Sequence, residues 1–260
     1  MIDNGYLYAK NNLRLFINTS LGCSGQCSYC YLPKIGYNNK GDVNQVISAE
    51  EILDMIKQYD YELNNDTLIT LGCFSECFDE KNKPETLKLI KHFLKKGNQI
   101  QLSTKKEMRR EDFKDVSNFI QYTGQLIIFI SSATISSHSQ LEKGTDEPQK
   151  RFKSFENLKD LNIPLVLYLK PILENITYKD IDLYLKFIKK YDIKDVVIGS
   201  IFKKKESNET VPFSDKKELF YNPISDEEKF IVDLNGKCNI FRRSTQVINY
   251  YKNNKDDSSL

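Results

Sequence analysis

Short apolar runs alternate with helical patterns along most of the chain. Six runs rich in β-branched and aliphatic residues read as strands: Leu13–Thr19, Thr67–Leu71, Gln99–Thr104, Leu126–Ser131, Leu165–Lys170 and Asp195–Ser200. They are largely apolar on both faces, as strands of a parallel sheet covered by helices are. The intervening segments carry helix signals. Ser48 and Glu51 form a capping box ahead of Ile52, Met55, Ile56 and Tyr59, which share one helical face. Pro84 occupies a first-turn position before Leu87, Ile90 and Leu94, with Gly97 as the stop. Pro148 opens a helix through Phe152, Phe155 and Leu158, and Thr177 caps another whose stripe is Ile181, Tyr184, Leu185 and Ile188. The pattern around Asp112–Gln121 is the weakest, and Lys237–Phe241 reads as a late strand.

Regular strand–helix alternation implies right-handed βαβ units and a parallel sheet. Six units are too few for a closed eight-stranded barrel, which leaves an open partial barrel or a doubly wound sheet. In both, active-site groups sit past the C-terminal ends of the strands. The core is expected over residues 1–210, with a C-terminal extension over 211–252 packed against it and a disordered polar tail over 253–260.

Composition narrows the class. The chain has 260 residues, 40% of them hydrophobic, enough for one substantial core. With 38 basic and 36 acidic residues, the formal charge is +2, which rules out a protein that coats polyanions but leaves room for local basic patches. No apolar run approaches the roughly 20 residues that span a bilayer. Met1–Gly5 lacks the basic start and apolar stretch of a signal peptide, so a cytoplasmic protein with no membrane association is the expectation. In such a compartment the six cysteines are not expected to form disulfides, and five of them fall in two tight clusters, which points to metal or redox chemistry.

The first cluster lies in the loop after the first strand, Leu21-Gly22-Cys23-Ser24-Gly25-Gln26-Cys27-Ser28-Tyr29-Cys30-Tyr31-Leu32. Three thiolates at Cys-x3-Cys-x2-Cys spacing can hold three irons of a cubane cluster, and no fourth thiolate follows locally. One iron then keeps a position open for a small molecule, as catalytic metals do. The alternative is a structural zinc site, which needs a fourth ligand; Cys73 is a candidate, whereas His92 and His138 are not at zinc-finger spacing.

Here the chain resembles the radical S-adenosylmethionine (SAM) superfamily, whose signature is Cys-x3-Cys-x-aromatic-Cys, with Tyr29 as the aromatic. The resemblance implies a partial (β/α)6 TIM-like barrel and a 4Fe–4S cluster on Cys23, Cys27 and Cys30. SAM chelates the open iron and is reductively cleaved to a 5′-deoxyadenosyl radical, which abstracts a hydrogen atom from substrate. It also implies an electron donor such as a flavodoxin or ferredoxin. The family's SAM contacts carry over to Tyr29 for adenine, Gly72 in the segment Gly72–Ser75 for the amino group, Ser103 and Lys105 for the carboxylate or ribose, Ser131 and Ser132 for the ribose, and Arg151 for the carboxylate. The usual Gly-Gly-Glu stretch after the second strand is replaced by Leu71-Gly72-Cys73.

Within the superfamily the layout is most similar to spore photoproduct lyase and its relatives, which split a thymine dimer lesion. Tyrosines flank the last cluster cysteine, Cys73 ends the second strand, and Ser103-Thr104-Lys105 ends the third. The resemblance implies a hydrogen-donor role for Cys73 and a radical relay through Tyr29 and Tyr31. Free cysteine is also a common small core residue. Cys77 has no counterpart in the pattern. Basic residues Lys105, Lys106, Arg109, Arg110, Lys203, Lys204, Lys205, Arg242 and Arg243 cluster near the proposed mouth, either as a nucleic-acid rim or as a solvated cationic face. A nucleotide or nucleic-acid substrate is therefore one expectation. Modification of a peptide or small metabolite is the alternative, and a non-catalytic metal-binding module the third.

Overall fold

The structure is a computed structural model that describes residues 2–9, 11–37, 45–59, 63–200, 202–204, 219–221 and 224–254. Its centre is a nine-stranded sheet whose strand order is the chain order. A short antiparallel lead-in, β1 (Ile2–Asp3) and β2 (Leu7–Ala9), pairs onto β3 (Arg14–Ile17). Parallel strands follow: β4 (Leu68–Leu71), β5 (Ile100–Thr104), β6 (Leu126–Ser131), β7 (Leu165–Leu169), β8 (Asp195–Ile198) and β9 (Asn239–Phe241). All six expected strands form. The late strand also forms and continues the same sheet, Asp195 lying opposite Asn239. The parallel run therefore has seven strands, one more than the six-unit reading. The three-residue β2 is too short to carry a periodic signal.

Six helices of ten residues or more accompany the sheet: α1 (Ala49–Gln58), α2 (Lys83–Lys95), α3 (Pro148–Asn157), α4 (Ile181–Lys190), α5 (Ser225–Leu234) and α6 (Ser244–Asn253). The capping box of α1 is complete, Ser48 Oγ accepting from Glu51 N at 3.1 Å and the Glu51 carboxylate from Ser48 N at 2.8 Å. Pro84 lies in the first turn of α2, and Gly97 (φ +86°) follows its end. Thr177 is not the cap of α4. It begins a 3-10 turn, Thr177–Asp180, and its hydroxyl is already committed, accepting from Leu173 N and donating to Ala133 O. The weak pattern around Asp112–Gln121 gives one turn of helix, Arg110–Phe113, and a 3-10 turn, Ser117–Phe119, because only Phe113 and Val116 bury there.

Strand alternation sorts side chains to two faces. Leu15, Ile17, Ile69, Leu71, Ile100, Leu102, Ile128, Ile130, Leu167, Leu169, Val196 and Ile198 face one way and form the main core with Ile52, Phe93, Phe152, Tyr184 and Phe230 of the covering helices. On the other face, Ile127, Phe129, Val166 and Val197 pack against Val247 and Ile248 of α6. Helix α6 thus crosses the inner face, tied down by Tyr251 Oη donating to Asp195 at 2.5 Å. The boundary expected at 210/211, Lys205, and the tail beyond residue 254 lie outside the described residues. Among the described residues, no helix is long and apolar enough to cross a membrane.

Candidate active site

A cavity of about 540 Å³ runs from the inner face of the sheet to the loops past the C-terminal ends of its strands. Its walls bring together Cys23, Cys27 and Cys30 with Tyr29, Tyr31, Gly72, Cys73, Ser103, Lys105 and Ser131. These residues come from the loop after β3 and from the ends of β4, β5 and β6. Ten of the twelve expected site residues therefore share one chamber. Ser132 and Arg151 do not reach it. Ser132 is buried behind the wall, its hydroxyl donating to Thr134 O at 3.2 Å. Arg151 is also fully buried, donating to Ser131 O and to the Glu142 carboxylate, both at 2.6 Å. That places its charge inside the wall rather than on a SAM carboxylate.

The cysteine loop is held by backbone contacts. Gln26–Cys27 pairs antiparallel with Glu142–Lys143, Cys27 opposite Glu142, and Ser28 N donates to Leu141 O at 2.9 Å. Gly144 (φ +77°) makes the approach possible, since a Cβ there would meet Ser24 O at 2.7 Å. At its start the loop is joined to the segment after β4: Gly22 N donates to Phe74 O at 3.0 Å, and buried Asn18 accepts from Phe74 N at 2.7 Å.

Glu142 is the hub that the sequence reading missed. Its fully buried carboxylate accepts from the Tyr29 hydroxyl, from Arg151, and from Ala133 N at 3.1 Å, with Lys105 Nζ 3.9 Å away. Burial opposes its ionisation, but Lys105 and Arg151 outweigh that and hold its pKa below the usual carboxylate value. Lys105 responds in the matching direction: burial disfavours its charge, but Cys27 and Glu142 raise its pKa. Its Nζ donates to Ser131 Oγ at 2.9 Å and lies 5.7 Å from the Tyr29 ring centroid. A second missed carboxylate, Glu76, accepts from Thr104 Oγ1 at 2.6 Å and Lys105 N at 2.9 Å, and burial raises its pKa. Glu76 had a signal, since Cys73 and Cys77 flank it in one loop. Glu142 had none, because Tyr29, the partner that ties it to the site, lies 113 positions away.

Burial pushes the Cys23 thiol up to about 12, with Glu76, Cys30 and Cys27 adding to the effect. It also raises Cys27, against a lowering influence from Lys105. All three cysteines line the same cavity. Among the described residues, no three His, Cys, Asp or Glu side chains are grouped to hold a single metal ion. A cubane asks for a different arrangement, because each thiolate takes its own iron. Cys73, the candidate fourth ligand of a zinc site, lines the same cavity as the three cysteines, but it is not gathered with them into a group for one metal ion.

Cys73 lines the same cavity, its thiol pushed up to about 12 by burial against a lowering influence from Arg14. The Tyr31 hydroxyl donates to Cys73 O at 2.6 Å, and burial first, then Cys73, raises the Tyr31 pKa. Burial, with Glu142, does the same to Tyr29. Four cations of the expected rim are paired, Lys106 with Asp146 at 3.5 Å, Arg109 with Glu107 at 3.7 Å, Arg110 with Asp160 at 2.9 Å and Arg242 with Glu227 at 3.1 Å, while the side chains of Lys203, Lys204 and Lys205 lie outside the described residues. Arg243 lines the cavity, as does Lys170, which burial and then Arg243 lower to about 8.

With this geometry in hand, the sequence profile of the radical SAM superfamily matches residues 17–202. The chain belongs to the radical SAM superfamily. Membership supports an enzyme and implies SAM and an iron–sulfur cluster. No curated protein matches the sequence. Among solved structures, a spore photoproduct lyase double mutant with bound AdoMet and dinucleoside spore photoproduct is similar at TM-score 0.60 and 14% identity, covering 87% of this chain and 75% of that one. Spore photoproduct lyase complexed with dinucleoside spore photoproduct is similar at TM-score 0.58 and 14% identity over 85% and 74%. Streptococcus suis SuiB bound to S-adenosylmethionine follows at TM-score 0.54 and 12% identity; the match covers 90% of this chain and 51% of SuiB. These likenesses establish a shared fold, the mostly parallel partial barrel of radical SAM enzymes.

Proposed function

We propose that this radical SAM protein cleaves SAM reductively at a 4Fe–4S cluster held by Cys23, Cys27 and Cys30, and that Cys73 returns a hydrogen atom to a substrate radical. The observation that carries the reading is that the three-cysteine loop and Cys73 line one cavity. When bound, the cluster and SAM supply an organic radical able to take a hydrogen atom from substrate. The chain positions the reactants. Glu142 fixes the Tyr29 phenol, and Lys105 offers a cation to an anionic group of SAM. Hydrogen-atom donation requires an intact S–H bond, and burial keeps Cys73 a thiol at neutral pH. Tyr31, braced against the Cys73 backbone, lies within reach of a relay.

The lyase-like reaction on a nucleotide follows from the likeness of the site's layout to spore photoproduct lyase, whose solved structure holds a dinucleoside lesion. The pairing of Lys106, Arg110 and Arg242 favours a second reading, a small metabolite or peptide in place of a nucleic-acid polymer, because cations already matched with carboxylates release less counterion on a polyanion.

Anaerobic reconstitution with iron and sulfide, then SAM and a reductant, should yield 5′-deoxyadenosine; its absence would overturn the enzyme reading. With substrate present, Cys73→Ala should still cleave SAM but lower correct product formation by about 10²-fold or more, the loss of one catalytic group. Unchanged product and rate would remove Cys73 from the donor role.

A further inference from the structure

Arg14 enters the cavity from the first position of β3, on the inner face of the sheet. Its Nε donates to Thr70 Oγ1 at 2.9 Å, and its guanidinium carbon lies 4.3 Å from the Phe16 ring centroid. Gln101 braces the same hydroxyl from β5, its Nε2 donating at 3.1 Å, while its Oε1 has no hydrogen-bond partner. All four side chains line the cavity. The groups that bear electrostatically on Arg14 are the Cys73 thiol and the Tyr168 phenol. Among the described residues, no Asp or Glu forms an ion pair with it.

An arginine fixed at Nε and lying against a ring holds its two terminal nitrogens in a set plane. That fork matches the oxygens of a carboxylate or phosphate through paired hydrogen bonds. Arg14 is half-buried and a guanidinium does not give up its proton, so the cavity wall carries a cation with no Asp or Glu counter-ion among the described residues. Such a group detracts from stability, and proteins retain such groups where binding needs them.

We propose that Arg14, held by Thr70 and Gln101, is the binding site for an anionic oxygen group of the substrate, a carboxylate or a phosphate, and sets the neighbouring substrate atoms beside Cys73. This rests on the cavity being the reaction chamber proposed above. It assigns the substrate's anion to the β3 wall and leaves Lys105, past the end of β5, for SAM.

Thermal unfolding of the reconstituted protein tests it, with acetate, inorganic phosphate or neutral acetamide added at constant ionic strength. Acetate or phosphate should raise the wild-type melting temperature, and acetamide should not. The stronger of the two anions identifies the substrate group as carboxylate or phosphoryl. Arg14→Met should abolish the response and, without anion, melt at the wild-type temperature or above. Arg14→Lys, which keeps the charge but loses the fork, should weaken the apparent affinity by about tenfold. Equal anion responses in wild type and Arg14→Met would overturn the proposal. So would a lowered melting temperature in Arg14→Met, which would make Arg14 structural, or a loss of SAM affinity, which would assign it to the cofactor. No readout uses 5′-deoxyadenosine, so failure of this site and failure of the radical reaction show separately.

Discussion

Glu142 shows how a single buried side chain can organise a site that is written elsewhere. The three cysteines were legible because their chemistry depends on spacing within eight residues, from Cys23 to Cys30. Glu142 was not, since its partner Tyr29 lies 113 positions away and nothing in the polar stretch around it marks it. Arg151, expected at the SAM carboxylate, is placed outside the cavity lining. A basic residue on the helix after β6 looks available to a ligand, until folding brings a buried carboxylate 2.6 Å from it. Removing one partner of such a pair leaves the other as an uncompensated buried charge. Glu142→Gln should therefore destabilise the fold by about 3 kcal/mol, measured by chemical denaturation. A change below about 0.5 kcal/mol, the scale of an exposed pair, would show that the network contributes little.

Among elements, caps and periodicity were read well wherever the signal is local. The box at Ser48 and Glu51, Pro84 in the first turn of α2 and Pro148 opening α3 all depend on residues within a few positions of one another. Thr177 misled because its hydroxyl serves Ala133 O, a partner across the fold, rather than the helix that follows. The two-residue ladder between Gln26–Cys27 and Glu142–Lys143 is shorter than any pattern a sequence can announce, yet it fixes the cysteine loop. Gly144 is where that ladder is most sensitive. Its left-handed φ and the 2.7 Å approach of a Cβ to Ser24 O both oppose a side chain. Gly144→Ala should cost about 1–3 kcal/mol and lower the iron content after anaerobic reconstitution. Full iron loading with unchanged stability would show that the loop tolerates displacement.

For the molecule as a whole, the inner face of the barrel poses a problem that the six-unit reading left open. An unclosed parallel sheet has a second apolar face, here Ile127, Phe129, Val166 and Val197, which must be buried. Helix α6 solves it from the C-terminal end of the chain, with Val247 fully buried and Ile248 nearly so. Val247→Ala should destabilise by about 1.5–3 kcal/mol, read from the midpoint of urea unfolding. A shift within about 0.5 kcal/mol of zero would mean that α6 merely rests on the sheet.

The sequence by itself determined the order of strands and helices, most helix starts, and the three-thiol loop with Cys73 after the second parallel strand. Each of these follows from interactions among near neighbours, where spacing dictates geometry. Only the tertiary structure decided that a seventh parallel strand extends the sheet, that a terminal helix fills its inner face, that Glu142 meets Tyr29, and that Arg14 lines the same cavity as Cys73. Those outcomes rest on contacts between residues far apart in the chain, and such contacts exist only after burial has chosen which surfaces meet.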